Sequence, residues 1–270
     1  MKRTILPLLL LLAVSSAFGQ DKYRDIEKEI VPTVLFQFNY AAQLTGMDTR
    51  TTFGFTNMVG GSVIYKTANN WLLTANGNLI SGDRIRSSRI EVFGEGITDD
   101  NGDLNGTGGL PVSLALFQRG LLFQAEVGKI FPYKPNPNSG FFVQFGAGYL
   151  KNRIRIDYQQ EAQNDPSVIL GDLQYGYDQM RGGPAFHVET GYFLMSSSKL
   201  YNFTLSLEAT YARTRHLRDY DFRVFFDENG EPHPMGYNDK NKRFNDLYYG
   251  IRVSWMFPTY QRKPEAYYYN

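Results

Sequence analysis

Five side chains in this 270-residue sequence have the types and spacing to do acid–base or electrostatic work together: Glu126, His187, Glu189, Glu208 and Arg252. Each lies in a stretch where polar or glycine residues hold every second position. Glu126 follows Gln124, His187 alternates with Glu189 and Gly191, Glu208 lies between Ser206 and Thr210, and Arg252 falls between Gly250 and Ser254. In extended chain that spacing puts the five on one face of their strands. If the faces turn inward, the charges meet in a closed interior and must be paired or hydrogen-bonded. The expectation is a plug of ion pairs, which is how a narrow barrel interior is filled. Buried ionisable groups in membrane proteins also mark proton or solute pathways, which is the sharper alternative.

Two other groups carry weaker signals. His216 and His233 share a polar stretch with Asp219, Asp221 and Asp239. Histidine beside a carboxylate at the outer rim is the arrangement of a rim-located hydrolase, but nothing in this spacing demands it, so no catalytic residue is assigned. The run Asp99–Asp103 sets oxygen ligands at alternate positions, as calcium loops do, yet Leu110 stands where the bidentate carboxylate should fall. A solvated turn is the expectation there. No metal and no cofactor is predicted.

The elements that would position these groups are eight strand-length segments with strict alternation. Val34 to Leu44 opposes Val34, Phe36, Phe38 and Tyr40 to Leu35, Gln37, Asn39 and Gln43. Segments follow from about Gly54 to Lys66, from Trp71 to Leu79, and around Leu121–Val127, Phe141–Tyr149, Phe186–Leu194, Phe203–Tyr211 and Leu247–Phe257. Every one has an apolar face and a polar or glycine face. Strand glycines such as Gly146 and Gly148 fit barrel curvature better than phosphate binding. The connections alternate long and short. Residues 67–70, Phe131–Ser139 and Ser196–Lys199 are short, and 82–116, 158–182 and 214–244 are long. Tight turns on one side and long loops on the other mark an outer-membrane barrel.

The predicted fold is therefore all-β, a closed antiparallel up-and-down transmembrane β-barrel of eight strands. Extra strands could hide in the loop at 82–116 or in the hairpin that Asp227–Gly230 closes, which is expected to extend the seventh and eighth strands outward. An interior of this size is filled by side chains, which excludes a wide porin lumen.

Residues 1–19 read as a signal peptide: Lys2 and Arg3, the apolar run Ile5–Val14, and small residues at Ala17 and Gly19, with cleavage before Gln20. Removing Lys2 and Arg3 leaves 26 basic against 27 acidic residues, a net charge of −1. That balance gives no field for nucleic acid. The absence of cysteine excludes a disulfide framework and thiolate metal sites. The chain divides into a signal peptide (1–19), a charged periplasmic segment (20–33), the barrel (34–258) and a periplasmic tail (259–270). Arg262, Lys263, Tyr267, Tyr268 and Tyr269 make that tail a docking peptide for a periplasmic or outer-membrane protein partner, since Tyr and Arg are enriched at binding hot spots. The barrel's other partner is outer-membrane lipid.

The stretches Gly128–Gly140, Lys151–Ile156 and Leu247–Pro258, taken with the tail, resemble small outer-membrane barrels of Bacteroidota, some of them accessory barrels of the type IX secretion (gliding) machinery. Gly250–Trp255 resembles the signal read by barrel-insertion machinery, here internal rather than terminal. The resemblance implies a non-enzymatic outer-membrane protein, an accessory or scaffold subunit of an envelope or protein-secretion complex. It transfers no functional residue. Adhesion or ligand binding through the extracellular loops is the alternative. A periplasmic lipocalin-like barrel would instead turn its apolar face inward.

Overall fold

The computed structural model describes residues 28–99, 101–133, 135–158, 171–196 and 201–259. The signal peptide and the docking tail with Arg262, Lys263 and Tyr267–Tyr269 lie outside the described residues.

Period-two alternation becomes eight barrel strands: β1 (Thr33–Gly46), β2 (Thr56–Lys66), β3 (Trp71–Gly82), β4 (Leu114–Tyr133), β5 (Asn136–Tyr158), β6 (Arg181–Met195), β7 (Asn202–His216) and β10 (Phe244–Pro258). Every sequential neighbour pairs antiparallel except across the last loop, where β7 pairs with β10. The first and last strands close the ring, with Phe38 opposite Trp255 and Tyr40 opposite Val253. Two further strands, β8 (Tyr220–Phe226) and β9 (Pro232–Tyr237), form a separate two-stranded sheet in the final loop. Among the described residues no helix is long and apolar enough to cross a membrane.

The apolar faces point outward. Phe38, Leu79, Phe123, Phe145, Leu207 and Ile251 are all more than half exposed. Such a surface suits a hydrocarbon solvent, where ring closure leaves no unpaired strand edge. Trp71, Phe203 and Trp255 lie outward near the short turns, Phe203 and Trp255 stacked at 6.1 Å, and Lys129 Nζ sits 5.1 Å from the Trp71 ring. This is an interfacial aromatic girdle. Towards the loops the outward positions after Tyr149 and Tyr211 are Lys151, Arg153, Arg213 and Arg215, so the apolar belt ends there.

The inward residues stack in layers. Near the short turns Leu35, Ile64, Leu72, Ile130, Phe142, Phe193, Met195 and Met256 form an apolar floor, joined by Val31 from before β1. Near the loops Ala41, Met58, Ile80, Leu122, Leu150, Ala185, Ala212 and Tyr248 form an apolar ceiling. The polar layer lies between. Above the ceiling the loops fold over a third cluster, in which Phe53, Val92, Phe93, Leu104, Val112, Ile154, Ile156 and Tyr177 are buried.

Three features differ from the sequence expectation. The second strand starts at Thr56, because Gly54 still donates to the Arg84 carbonyl of the next loop. The Phe131–Ser139 turn is tighter, with strand pairing continuing to Tyr133 opposite Asn136. The hairpin closed at Asp227–Gly230 does not prolong its flanking strands. The chain leaves the barrel wall after His216, where Leu217 N donates to the Met180 carbonyl, and β8 docks on the loop above β3. Residues just before β1 help to close the floor. Val31 N donates to Asn138 Oδ1 (2.8 Å), and Lys66 Nζ donates to the same oxygen (2.7 Å) and to the Val31 carbonyl (3.1 Å), stoppering the floor.

Phe142 is fully enclosed in that floor, edge-on to Phe193 at 6.2 Å. Phe142→Ala should lower unfolding free energy by about 3–5 kcal/mol, read from urea titration of the detergent-folded barrel. A loss under about 1 kcal/mol would mean the floor is loosely packed.

Candidate functional site: a sealed polar layer and an outer cap

Alternation on β4, β6, β7 and β10 turns Glu126, His187, Glu189, Glu208 and Arg252 inward, and all five are buried in one layer. The residue that makes room is Gly146 on β5, which pairs with Glu126 on one side and His187 on the other. A Cβ there would fall 2.5 Å from Glu126 Cγ.

Arg252 donates through Nε and Nη2 to Glu208 Oε2, both at 2.6 Å. Gln43 Nε2 donates to Glu208 Oε1 (2.5 Å), and Ser206 Oγ to Glu189 Oε1 (2.6 Å). Glu126 receives only long hydrogen bonds, from Asn76 and Gln144 at 3.4 Å each. Glu189 and Glu208 stand directly opposite each other on β6 and β7, an arrangement that repels unless positive charge lies between. His187 Nδ1 meets Thr210 Oγ1 at 2.9 Å, while Nε2 faces Glu189 (3.7 Å), Glu126 (3.8 Å) and Glu208 (4.0 Å). The floor lies on one side of this layer and the ceiling on the other.

The cap is one interlocked body. Two short helices, α1 (Met47–Thr52) and α2 (Arg89–Phe93), lie in the first and second outer connections, α2 with a Ser88–Glu91 capping box. Strand β8 sits against the second connection: Glu95 N donates to the Val224 carbonyl (2.8 Å), Phe226 N to Glu95 Oε2 (2.7 Å) and Arg223 Nη1 to the Glu91 carbonyl (2.9 Å). Asp246, buried at the start of β10, accepts from Thr49 (2.6 Å) and Thr214 (2.5 Å), with Arg181 at 3.7 Å. Asp178 binds Arg218 at 2.7 Å. These clamps and the Lys66–Asn138 stopper were not singled out from the sequence. Extending the inward parity of β2 and β10 by one step would have flagged Lys66 and Asp246.

The loop histidines are not brought together with the expected carboxylates. His233 meets Asp227 at 3.3 Å on the exposed hairpin tip. His216 lies edge-on to the Phe244 ring at 4.9 Å. Asp221 is taken by Arg223 (2.6 Å) and Asp219 by Lys240 (2.7 Å), while Asp239 caps the Asn241 amide (2.8 Å). In the calcium-like run, Asp99 Oδ1 accepts from the Asn101 and Asp103 amides (3.0 and 2.7 Å), and Asp103 pairs with Arg89. Asp99 thus closes its own turn.

The chain matches no protein-family model and no curated protein. Among solved structures it is similar to Ail, the attachment invasion locus protein of Yersinia pestis, at 8% identity and TM-score 0.38, covering 84% of this chain and 99% of that one. It is similar to the N-terminal β-barrel domain of Pseudomonas aeruginosa OprF (9%, TM-score 0.34, covering 84% and 100%). Neisserial surface protein A gives 14%, TM-score 0.32, and 82% and 96%. The eight-strand ring follows from this chain's own pairing register.

Arg252→Met leaves Glu208 buried without its guanidinium and should cost about 3–5 kcal/mol in urea unfolding. Adding Glu208→Leu should return a large part of that loss, and simple additivity of the two single changes would show that they do not act as a pair. His216 lies beyond the last apolar outward position of its strand. Burial, with Arg181 adding to it, lowers its pKa to about 4. Unfolded, it would bind a proton near pH 6.5. It therefore opposes folding of the cap increasingly as pH falls from about 6.5 towards 4 and is neutral above that window. Proteolysis of the outer loops should quicken at pH 5 relative to pH 7.5, and His216→Gln should flatten that difference.

Proposed function

We propose that this barrel resides in the outer membrane and works by binding, as an accessory or scaffold subunit of an envelope or protein-secretion complex rather than as an enzyme or a channel. The observation that carries the reading is the sealed interior beneath a folded cap. With apolar floor and ceiling on either side of the polar layer, the surfaces left for work are the two ends. The outward apolar belt, the loops gathered at one end and the expected export signal support the location. Assignment to the type IX machinery rests on the resemblance of Gly128–Gly140, Lys151–Ile156 and Leu247–Pro258. The hydrolase reading has no support from the placement of His216 and His233, which point to different partners.

One observation favours adhesion as a second reading. The β8–β9 hairpin presents Phe226, Met235 and Tyr237 to solvent, Tyr237 at 76% exposure, while its other side is fastened to the cap. Large apolar side chains held on a rigid support are the makings of a protein-binding surface.

Two deletions separate the readings. Removing residues 259–270 should leave a folded barrel and release a co-purifying periplasmic partner. Replacing residues 220–237 with a short Gly-Ser linker should leave that partner bound. The opposite pattern, measured by cross-linking on intact cells and mass spectrometry, would move the function to the extracellular face.

A further inference from the structure

We propose that the polar layer holds a divalent metal site of the zinc class, formed by His187 Nε2 with the carboxylates of Glu126 and Glu189. Ligand atoms of Glu126, His187 and Glu189 all lie within 4.8 Å of one another and are buried. A tetrahedral ion with bonds of about 2.0–2.2 Å sets its ligands about 3.4 Å apart. Nε2 lies 3.7 Å from Glu189 and 3.8 Å from Glu126, a few tenths of an ångström beyond that spacing, and a bound ion would draw the two carboxylates together.

The imidazole is the observation that points to an ion rather than to a mere acidic cluster. Its side chain is fully buried, and Nε2 has no hydrogen-bond partner although it faces three carboxylates. At those distances neither a protonated ring nor the Nε2–H tautomer makes a hydrogen bond to them, and the Nδ1–H tautomer would turn its Nε2 lone pair on negative charge. Thr210 Oγ1, 2.9 Å from Nδ1, can accept the Nδ1 proton and so orient Nε2 inward, as outer-shell partners of metal-bound histidines do. The charge balance agrees, for three glutamates face one arginine in the layer. Gln43 Oε1, Gln124 Oε1 and Asn39 Oδ1 are further buried oxygens without a hydrogen-bond partner. Because the floor and ceiling close the layer off, the ion would enter as the barrel folds and exchange slowly afterwards.

The test uses the full mature chain with a tag free of histidine. It is unfolded in urea with chelator, then refolded into detergent with zinc or with chelator alone, washed with chelator and analysed by elemental mass spectrometry. About one zinc per chain should be retained by the zinc-refolded protein, with a higher urea midpoint than the chelator-refolded protein. His187→Gln and Glu189→Gln should each lower retention at least tenfold, and His216→Gln with His233→Gln should not change it. Thr210→Val, a milder change, should weaken retention while keeping the barrel folded. Wild-type protein that retains no zinc and has the same midpoint either way would overturn the site, whether or not the variants refold. Equal retention by the His187 and Glu189 variants would overturn it too.

Discussion

In a hydrocarbon phase no backbone amide or carbonyl can be left unpaired, and that constraint shapes the whole molecule. A sheet meets it by closing, so β1 pairs with β10 along twelve successive residues, from Leu35 opposite Pro258 to Gly46 opposite Leu247. Closure divides every strand between two solvents. The outside becomes an apolar wall of Phe, Leu, Val and other aromatic residues, and the inside a narrow enclosure that side chains must fill.

How it is filled decides what the protein can do. Apolar floor and ceiling flank a polar layer whose groups are buried among one another. Low effective dielectric strengthens every attraction there and penalises each unpaired group. Arg252 serves Glu208 with two donors at 2.6 Å, while Glu126 has only 3.4 Å contacts and His187 Nε2 has none. The layer is thus well satisfied at one side and under-satisfied at the other. That asymmetry favours a cation site beside His187 over a network complete in itself. A hydrophobic filling would have been cheaper to build in stability terms, since buried ion pairs are often matched or bettered by apolar replacements.

Much of this was legible in the sequence because a strand has period two. Once Phe203, Leu205 and Leu207 are outward, Thr204, Ser206 and Glu208 have to be inward, and the same parity puts Glu126, His187, Glu189 and Arg252 together in one lumen. What parity cannot give is height along the axis or the contacts of loops. The division into floor, polar layer and ceiling depends on stagger between strands, set by registers such as Glu126 opposite Gly146 and Gly146 opposite His187. The hairpin near Asp227 has its own turn signal, so its existence was readable. Its docking was not, because Glu95, Arg223 and Val224 meet through backbone groups that any sequence possesses.

The cap and the layer are held by different means. The cap relies on hydrogen bonds from loop to loop and on its own apolar cluster around Phe93 and Tyr177, whose rings lie 5.8 Å apart. It joins the barrel through Ile154 and Ile156 of β5 in that cluster and through Asp246 and Arg181 at the rim, above the ceiling. Between that rim and Glu208 stands the Tyr248 level, where the phenol accepts from Asn152 (2.6 Å) and Gln118 (3.3 Å). Loops at the outer end can therefore vary in sequence while the buried groups of the polar layer stay in place.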